Sequence, residues 1–92
     1  MPRDRKDVER GLTNKGFHVR QGDHHYFTYV TFAGKKTEVF TKTSHSMKQI
    51  GDKLLSAMAR QCRMDRGEFL RLVDCPKTQV EYEAHLKALG LA

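Results

Sequence analysis

Apolar residues recur along this chain with two different periods, and each change of period marks a change of element. Between Asp4 and Gly16, Val8 and Leu12 stand four apart behind early acidic residues, which predicts a helix that stops where Gly16 takes a left-handed conformation. Gly11 inside that stretch weakens a helix by about 0.5–1 kcal/mol relative to Ala, so packing must hold it. From Phe17 the period shortens. Phe17-His18-Val19-Arg20 alternates apolar and polar and predicts a short strand, Gln21-Gly22-Asp23 is turn material, and the uncharged run from His24 to Phe32 predicts a second strand. Ala33-Gly34-Lys35-Lys36 reads as a hairpin connection into a third strand from Thr37 to Lys42.

The longer period then returns. Ser46-Met47-Lys48-Gln49 has the spacing of a capping box, and Ile50, Leu54, Met58 and Cys62 recur every four residues behind it, with Met47, Leu55 and Ala59 widening the stripe. Asp65 to Glu68 and Thr78 to Glu81 repeat the capping spacing before two short amphipathic runs, Phe69, Leu70, Leu72, Val73 and then Tyr82, Leu86, Leu89, with Cys75-Pro76 between them. The predicted class is α+β, in the order α-β-β-β-α followed by short C-terminal helices. A three-stranded meander is not stable with both faces wet, so the two main helices are expected to cover one face and leave the other for function.

A chain of 92 residues has room for one domain and a thin core. Its 17 Lys and Arg outnumber 11 Asp and Glu, and the excess is local: residues 34–66 carry eight basic against three acidic groups, whereas residues 67–92 are nearly balanced. Such a distribution suits a polyanion on one face, and equally a solvated surface kept for solubility. Cys62 and Cys75 lack a CxxC spacing, and Cys62 falls on the apolar stripe, which points to free thiols in a reducing compartment rather than a disulfide. No run approaches the roughly 20 apolar residues needed to span a bilayer, and the chain opens on charge, so a soluble, cytoplasmic protein with no membrane association is expected.

Histidine is the one credible catalytic side chain. HExxH, CxxC and finger spacings are absent, as are phosphate-binding glycine loops and nucleophile elbows, so neither a metal nor a cofactor is expected. His24 and His25 open the second predicted strand, and adjacent strand residues point to opposite faces, so the two do not chelate one ion side by side. An imidazole with an unperturbed pKa of about 6.5 exchanges protons at neutral pH, and RNA cleavage needs a base for the 2′-hydroxyl, an acid for the leaving oxygen and cations on the phosphate. From spacing alone, ordinary strand residues remain the simpler account of the pair. His18 and His85 read as surface residues, and His45, between two serines, as a helix-cap or phosphate contact.

The order α-β-β-β-α is that of the double-stranded-RNA-binding domain, which reads A-form shape. Within it, Gly16-Phe17, a strand, Gly22-Asp23-His24-His25-Tyr26-Phe27, two strands and a helix resemble the HicA (YcfA-like) toxins, whose pattern is a Gly, a small residue, the catalytic His and then an aromatic. The resemblance covers about Asp4 to Met64, and Met64 to Leu70 is similar to a C-terminal extension of some members. It implies a double-stranded-RNA-binding-domain-like fold in residues 1–64, a helical extension in residues 65–92, and a metal-independent mRNA interferase of a type II toxin-antitoxin module, neutralised by a HicB-like antitoxin protein. Carried over by position, His24 is the catalytic residue, with His25 its alternative should the register differ by one. Asp23 departs from the pattern, standing where the family has Ser, Thr or Gly.

Three functions therefore stand side by side: a ribonuclease toxin using His24, with Arg20, Lys35, Lys36 and Lys42 as phosphate cations; a non-catalytic RNA-binding module; and a protein-interaction subunit whose terminal helices dock a partner and whose charge is incidental. Whatever the function, the apolar stripe of the last helix must pack on the domain or on a second chain, as in a homodimer. If the four cations each meet a phosphate of single-stranded RNA, log affinity should fall against log salt with a slope near about -3. Exchanging Lys35 and Lys36 for Glu should flatten that slope by about one to two units while the melting curve stays put, read by titrating labelled RNA at several salt concentrations. An unchanged slope would leave these lysines only the role of keeping a strand edge soluble.

Overall fold

The computed structural model of the protein describes residues 2–74 and 76–92. Its elements run β1 (Arg3–Asp4), α1 (Arg5–Asn14), β2 (Phe17–Gln21), β3 (His25–Val30), β4 (Lys36–Thr43), β5 (Gln49–Ile50), α2 (Asp52–Gln61), α3 (Arg66–Val73) and α4 (Gln79–Ala88). The meander forms as the alternation requires: β2, β3 and β4 pair antiparallel in chain order, with Val19 opposite Phe27 and Phe27 opposite Thr41. One face buries Phe17, Phe27, Tyr29, Val39 and Thr41 beneath the helices, while Arg20, Lys42 and the exposed Phe40 stand on the other. The α+β class is thus observed, as a three-stranded sheet with four helices.

Capping chemistry placed most of the helix starts. Asp4 accepts from the Lys6 amide at 2.8 Å, Asp65 from the Glu68 amide at 2.8 Å, and Thr78 and Glu81 form a reciprocal capping box. The box expected at Ser46 does not form. Met47 and Lys48 turn their carbonyls to Arg5, and Gln49 and Ile50 pair antiparallel with Asp4 and Arg3, so α2 begins at Asp52 behind Gly51 with no side-chain cap hydrogen bond. Tertiary pairing between segments more than forty residues apart overrides the local signal, and Ile50 reaches the core from a strand instead of a helix. The second predicted strand is also shorter than expected: His24 lies in the turn before β3, and Thr31 to Phe32 lie beyond its end. Leu89, placed on the last apolar stripe, is exposed as the C-cap of α4. Gly90 there adopts φ +76° and turns the chain so that Leu91 packs on the core in its place.

The core is continuous from α1 to α4, so residues 65–92 contribute Phe69, Leu72, Tyr82 and Leu86 to the same cluster as the sheet. Phe17, Tyr29 and Tyr82 meet with ring centroids 5.1–5.7 Å apart, in edge-to-face and stacked pairs. Buried hydroxyls need partners, and both tyrosines have them: Tyr82 donates to the Cys62 carbonyl at 2.9 Å and Tyr29 to the Glu83 carboxylate at 2.6 Å. Glu83 also accepts from the Phe32 amide, which ties α4 to the end of β3. Cys62 is fully buried, and that burial pushes its thiol up to about 12, the behaviour of a packing residue. Cys75 lies outside the described residues.

Two contacts lock α1 onto α3. Lys15 turns inward and its ammonium donates to the carbonyls of Leu72 and Lys77 at 2.7 Å each, at the C-terminal end of α3 where a cation is favoured. Gly11 faces Val73 so closely that a Cβ built on it would sit 2.8 Å from the Val73 Cα. The glycine that weakens the isolated helix is therefore the one that lets the two backbones meet. Gly11→Ala is expected to destabilise the fold by about 1–3 kcal/mol through overpacking, although Ala favours a helix by about 1 kcal/mol. Urea unfolding checks this, and a gain in stability would show that α1 and α3 are free to separate.

Candidate functional site

The turn between β2 and β3 is three residues long, because Gln21 pairs with His25, and the Gly22 amide donates to the His24 carbonyl at 3.1 Å. So tight a turn throws its side chains outward. Asp23 folds back to accept the Tyr26 hydroxyl at 2.7 Å, a bond that holds the Asp23 carboxyl below its usual value and raises the Tyr26 phenol. His24 leans edge-on toward Tyr26, with ring centroids 6.1 Å apart. Its Nδ1 lies 3.4 Å from the Asp23 carboxylate, at ion-pair distance, and is buried. The ring, with its side chain 37% exposed, lines a cleft of about 150 Å³ together with Lys42, Thr43, Ser44, Met47, Leu54 and Gln61, where the end of β4 meets α2.

Strand register assembles a row across the open face. Arg20 is opposite Tyr26, and Tyr26 is opposite Lys42. The Arg20 guanidinium sits 4.7 Å from the Tyr26 ring centroid, a cation–π arrangement that fixes both. Phe40, 49% exposed on the same face, is diagonal to Tyr26. Two cations with one aromatic ring between them and a second beside the row offer charge to a phosphate chain and flat surface to unstacked bases. His24 flanks that row, two residues before Tyr26 in the chain, and shares its cleft with Lys42.

Of the expected site residues, the structure thus brings together His24, Arg20 and Lys42. Lys35 and Lys36 lie at the other end of the sheet, where Lys36 pairs with Val30, four residues along β3 from Tyr26 and so roughly 13 Å away. Phe40 went unremarked at the level of sequence, although its place in the alternation of β4 puts it on the face of Lys42.

His25 takes no part in the row. It points toward α1, where its Nδ1 donates to Glu9 Oε2 at 3.1 Å, while its Nε2 lies 2.7 Å from Nδ1 of His45. His45 neither caps a helix nor stands free, for its Nε2 donates to the Gly22 carbonyl at 2.9 Å. His18 is exposed as expected, whereas His85 is half-buried and donates to the Arg63 carbonyl at 2.6 Å. Glu9, with 16% of its side chain exposed, also accepts from Thr43 at 2.6 Å and from Arg5 at 3.0 Å. Burial alone would raise its pKa, but the Thr43 and Arg5 hydrogen bonds and the nearby positive charge outweigh that and leave the carboxyl below its ordinary value. Of this cluster only the Arg5–Glu9 pair, one helical turn apart, had a signal in the sequence.

Among the described residues no group of three His, Cys, Asp or Glu is placed to hold a metal ion, and no helix is long and apolar enough to cross a membrane. No protein-family profile, no curated protein and no solved structure matches the chain.

A carboxyl held low in the folded state contributes stability above the unfolded carboxylate value of about 4.3 and loses it as pH falls through the lower folded value. Glu9→Gln is therefore expected to cost about 2 kcal/mol at pH 7, the scale of hydrogen bonds to a charged group. The gap between variant and wild type should narrow as the solution is acidified, read by urea unfolding at neutral and acid pH. A gap that stays constant would show that the charge of Glu9 is immaterial.

Proposed function

We propose that the protein binds RNA on the open face of its sheet and cleaves it, with His24 as general acid/base. The observation that carries this reading is the row Arg20–Tyr26–Lys42 flanked by a partly exposed imidazole. Lys42 and Arg20 would hold the phosphodiester and its developing negative charge, Tyr26 and Phe40 would take bases by stacking, and His24 would move the proton between the 2′-hydroxyl and the leaving oxygen. The α-β-β-β-α order, like that of a double-stranded-RNA-binding domain, and the Gly22-Asp23-His24 run, which resembles HicA toxins, extend the reading. On that resemblance the substrate is mRNA, the site needs no metal, and the protein is a toxin held in check by a HicB-like antitoxin.

One observation favours a second reading, a module that binds RNA without cutting it. Asp23 puts an exposed carboxylate 3.4 Å from the His24 ring, on ground a phosphate would otherwise occupy. The two readings separate when labelled RNA is incubated with the purified protein in EDTA and resolved on native and denaturing gels. Cleavage should fall by about 100- to 10,000-fold in His24→Ala and persist in a folded His25→Ala variant. RNA that is retarded but intact would establish the binding module, and RNA neither cut nor retarded would overturn both in favour of a protein-interaction subunit.

A further inference from the structure

The hydrogen-bond chain Glu9–His25–His45–Gly22 does not balance with two neutral imidazoles. Glu9 is ionised and the Gly22 oxygen is a carbonyl, so both ends accept, which places one proton on His25 Nδ1 and one on His45 Nε2. Neutral rings have no further proton. His25 Nε2 and His45 Nδ1 would then present two lone pairs to each other at 2.7 Å, where they repel.

We propose that a third proton bridges His25 Nε2 and His45 Nδ1, so that the pair carries a single shared positive charge and fastens the Gly22–His24 turn to the segment carrying His45. A metal ion does not fit the gap, because two ligands at 2.0–2.1 Å from a tetrahedral zinc stand roughly 3.3 Å apart, and the described residues supply no third ligand group. The charges facing the pair work in both directions. Lys6 and Arg10 on α1 and Lys48 before β5 line the clefts beside the two rings and oppose a further positive charge, as does Arg5, which is itself bonded to Glu9 and offsets part of its charge, while Asp4 favours it. Among the described residues, the groups in direct contact with the pair are the Glu9 carboxylate and the Gly22 carbonyl, both of which draw a proton into the chain. Contact hydrogen bonds between charged partners outweigh charges arrayed at a solvated rim.

Loss of the bridging proton to water removes the hydrogen bond between the rings, and His45 then holds the turn only through Gly22, against lone-pair repulsion. The turn is therefore clamped at low pH and released at high pH. Its bearing on catalysis, through the position of His24, rests on the proposed nuclease reading, but the bridge itself does not. His25 and His45 act in this as positioning residues.

The test needs no RNA. The imidazole nitrogens of the ¹⁵N-labelled full chain are followed in EDTA between about pH 5.5 and 9, the range in which histidines titrate. Both rings should change together in one step that releases one proton, and the Gly22 and Asp23 amides should move in the same step. In His45→Gln that step should vanish from the two amides. Glu9→Gln, which withdraws the facing negative charge, should move the step to lower pH. Separate titration of the two rings, indifference of the Gly22 amide, or a step seen only when zinc is added would overturn the proposal. The wild-type titration separates these outcomes even where a variant does not fold.

Discussion

A carboxylate held out of water must be met by donors, and the need of Glu9 for them organises one whole end of this molecule. Its partners come from α1 itself through Arg5, from β4 through Thr43 and from β3 through His25. Each places a different element, so α1 cannot shift along the sheet without abandoning a charge-assisted hydrogen bond. Arg5 in turn reaches the Met47 carbonyl and draws residues 47–50 against the start of α1, where they pair as β5 with β1. The same contacts that hold the helix thereby decide where His25 and His45 go, and they leave His24 on the other side of the turn.

The opposite end is governed by packing. Gly11 lets α1 and α3 approach backbone to backbone, Lys15 seals the end of α3, and the stacked and edge-to-face rings of Phe17, Tyr29 and Tyr82 bring α4 onto the sheet. Four helices on one face of a small sheet leave the other face bare, with its aromatic and basic side chains presented at fixed strand spacings. The proposed function follows from that asymmetry: the covered face makes the domain stable, and the free face offers Tyr26 between two cations with Phe40 beside them.

Much of the fold was legible because it is written in short-range patterns. Period-two alternation in the three strands between Phe17 and Lys42 and capping residues at Asp65 and Thr78 depend on neighbours within four positions, and these elements form in the predicted order, with β3 trimmed at both ends and β4 one residue longer at each. The failure at Ser46 has the same logic reversed. A capping box is worth about 1 kcal/mol, less than a strand pairing together with the Arg5 bond to Met47, and neither of those can be seen from residues 46–49.

The candidate site divides along the same line. The sequence by itself determined that Arg20 and Lys42 lie on strands of one meander and that His24 and His25 diverge, because alternation is local; that Arg20, Tyr26 and Lys42 stand in one row is set by the observed register. Only the tertiary structure decided that Lys35 and Lys36 stand at the far end of the sheet and that Glu9, His25 and His45 form one chain of hydrogen bonds. Those three residues are 16 and 20 positions apart, and no periodicity links a helix, a strand and a loop over such separations. What joins them is the requirement that a half-buried carboxylate and two imidazoles each find a partner, a condition that exists only once the chain has folded around them.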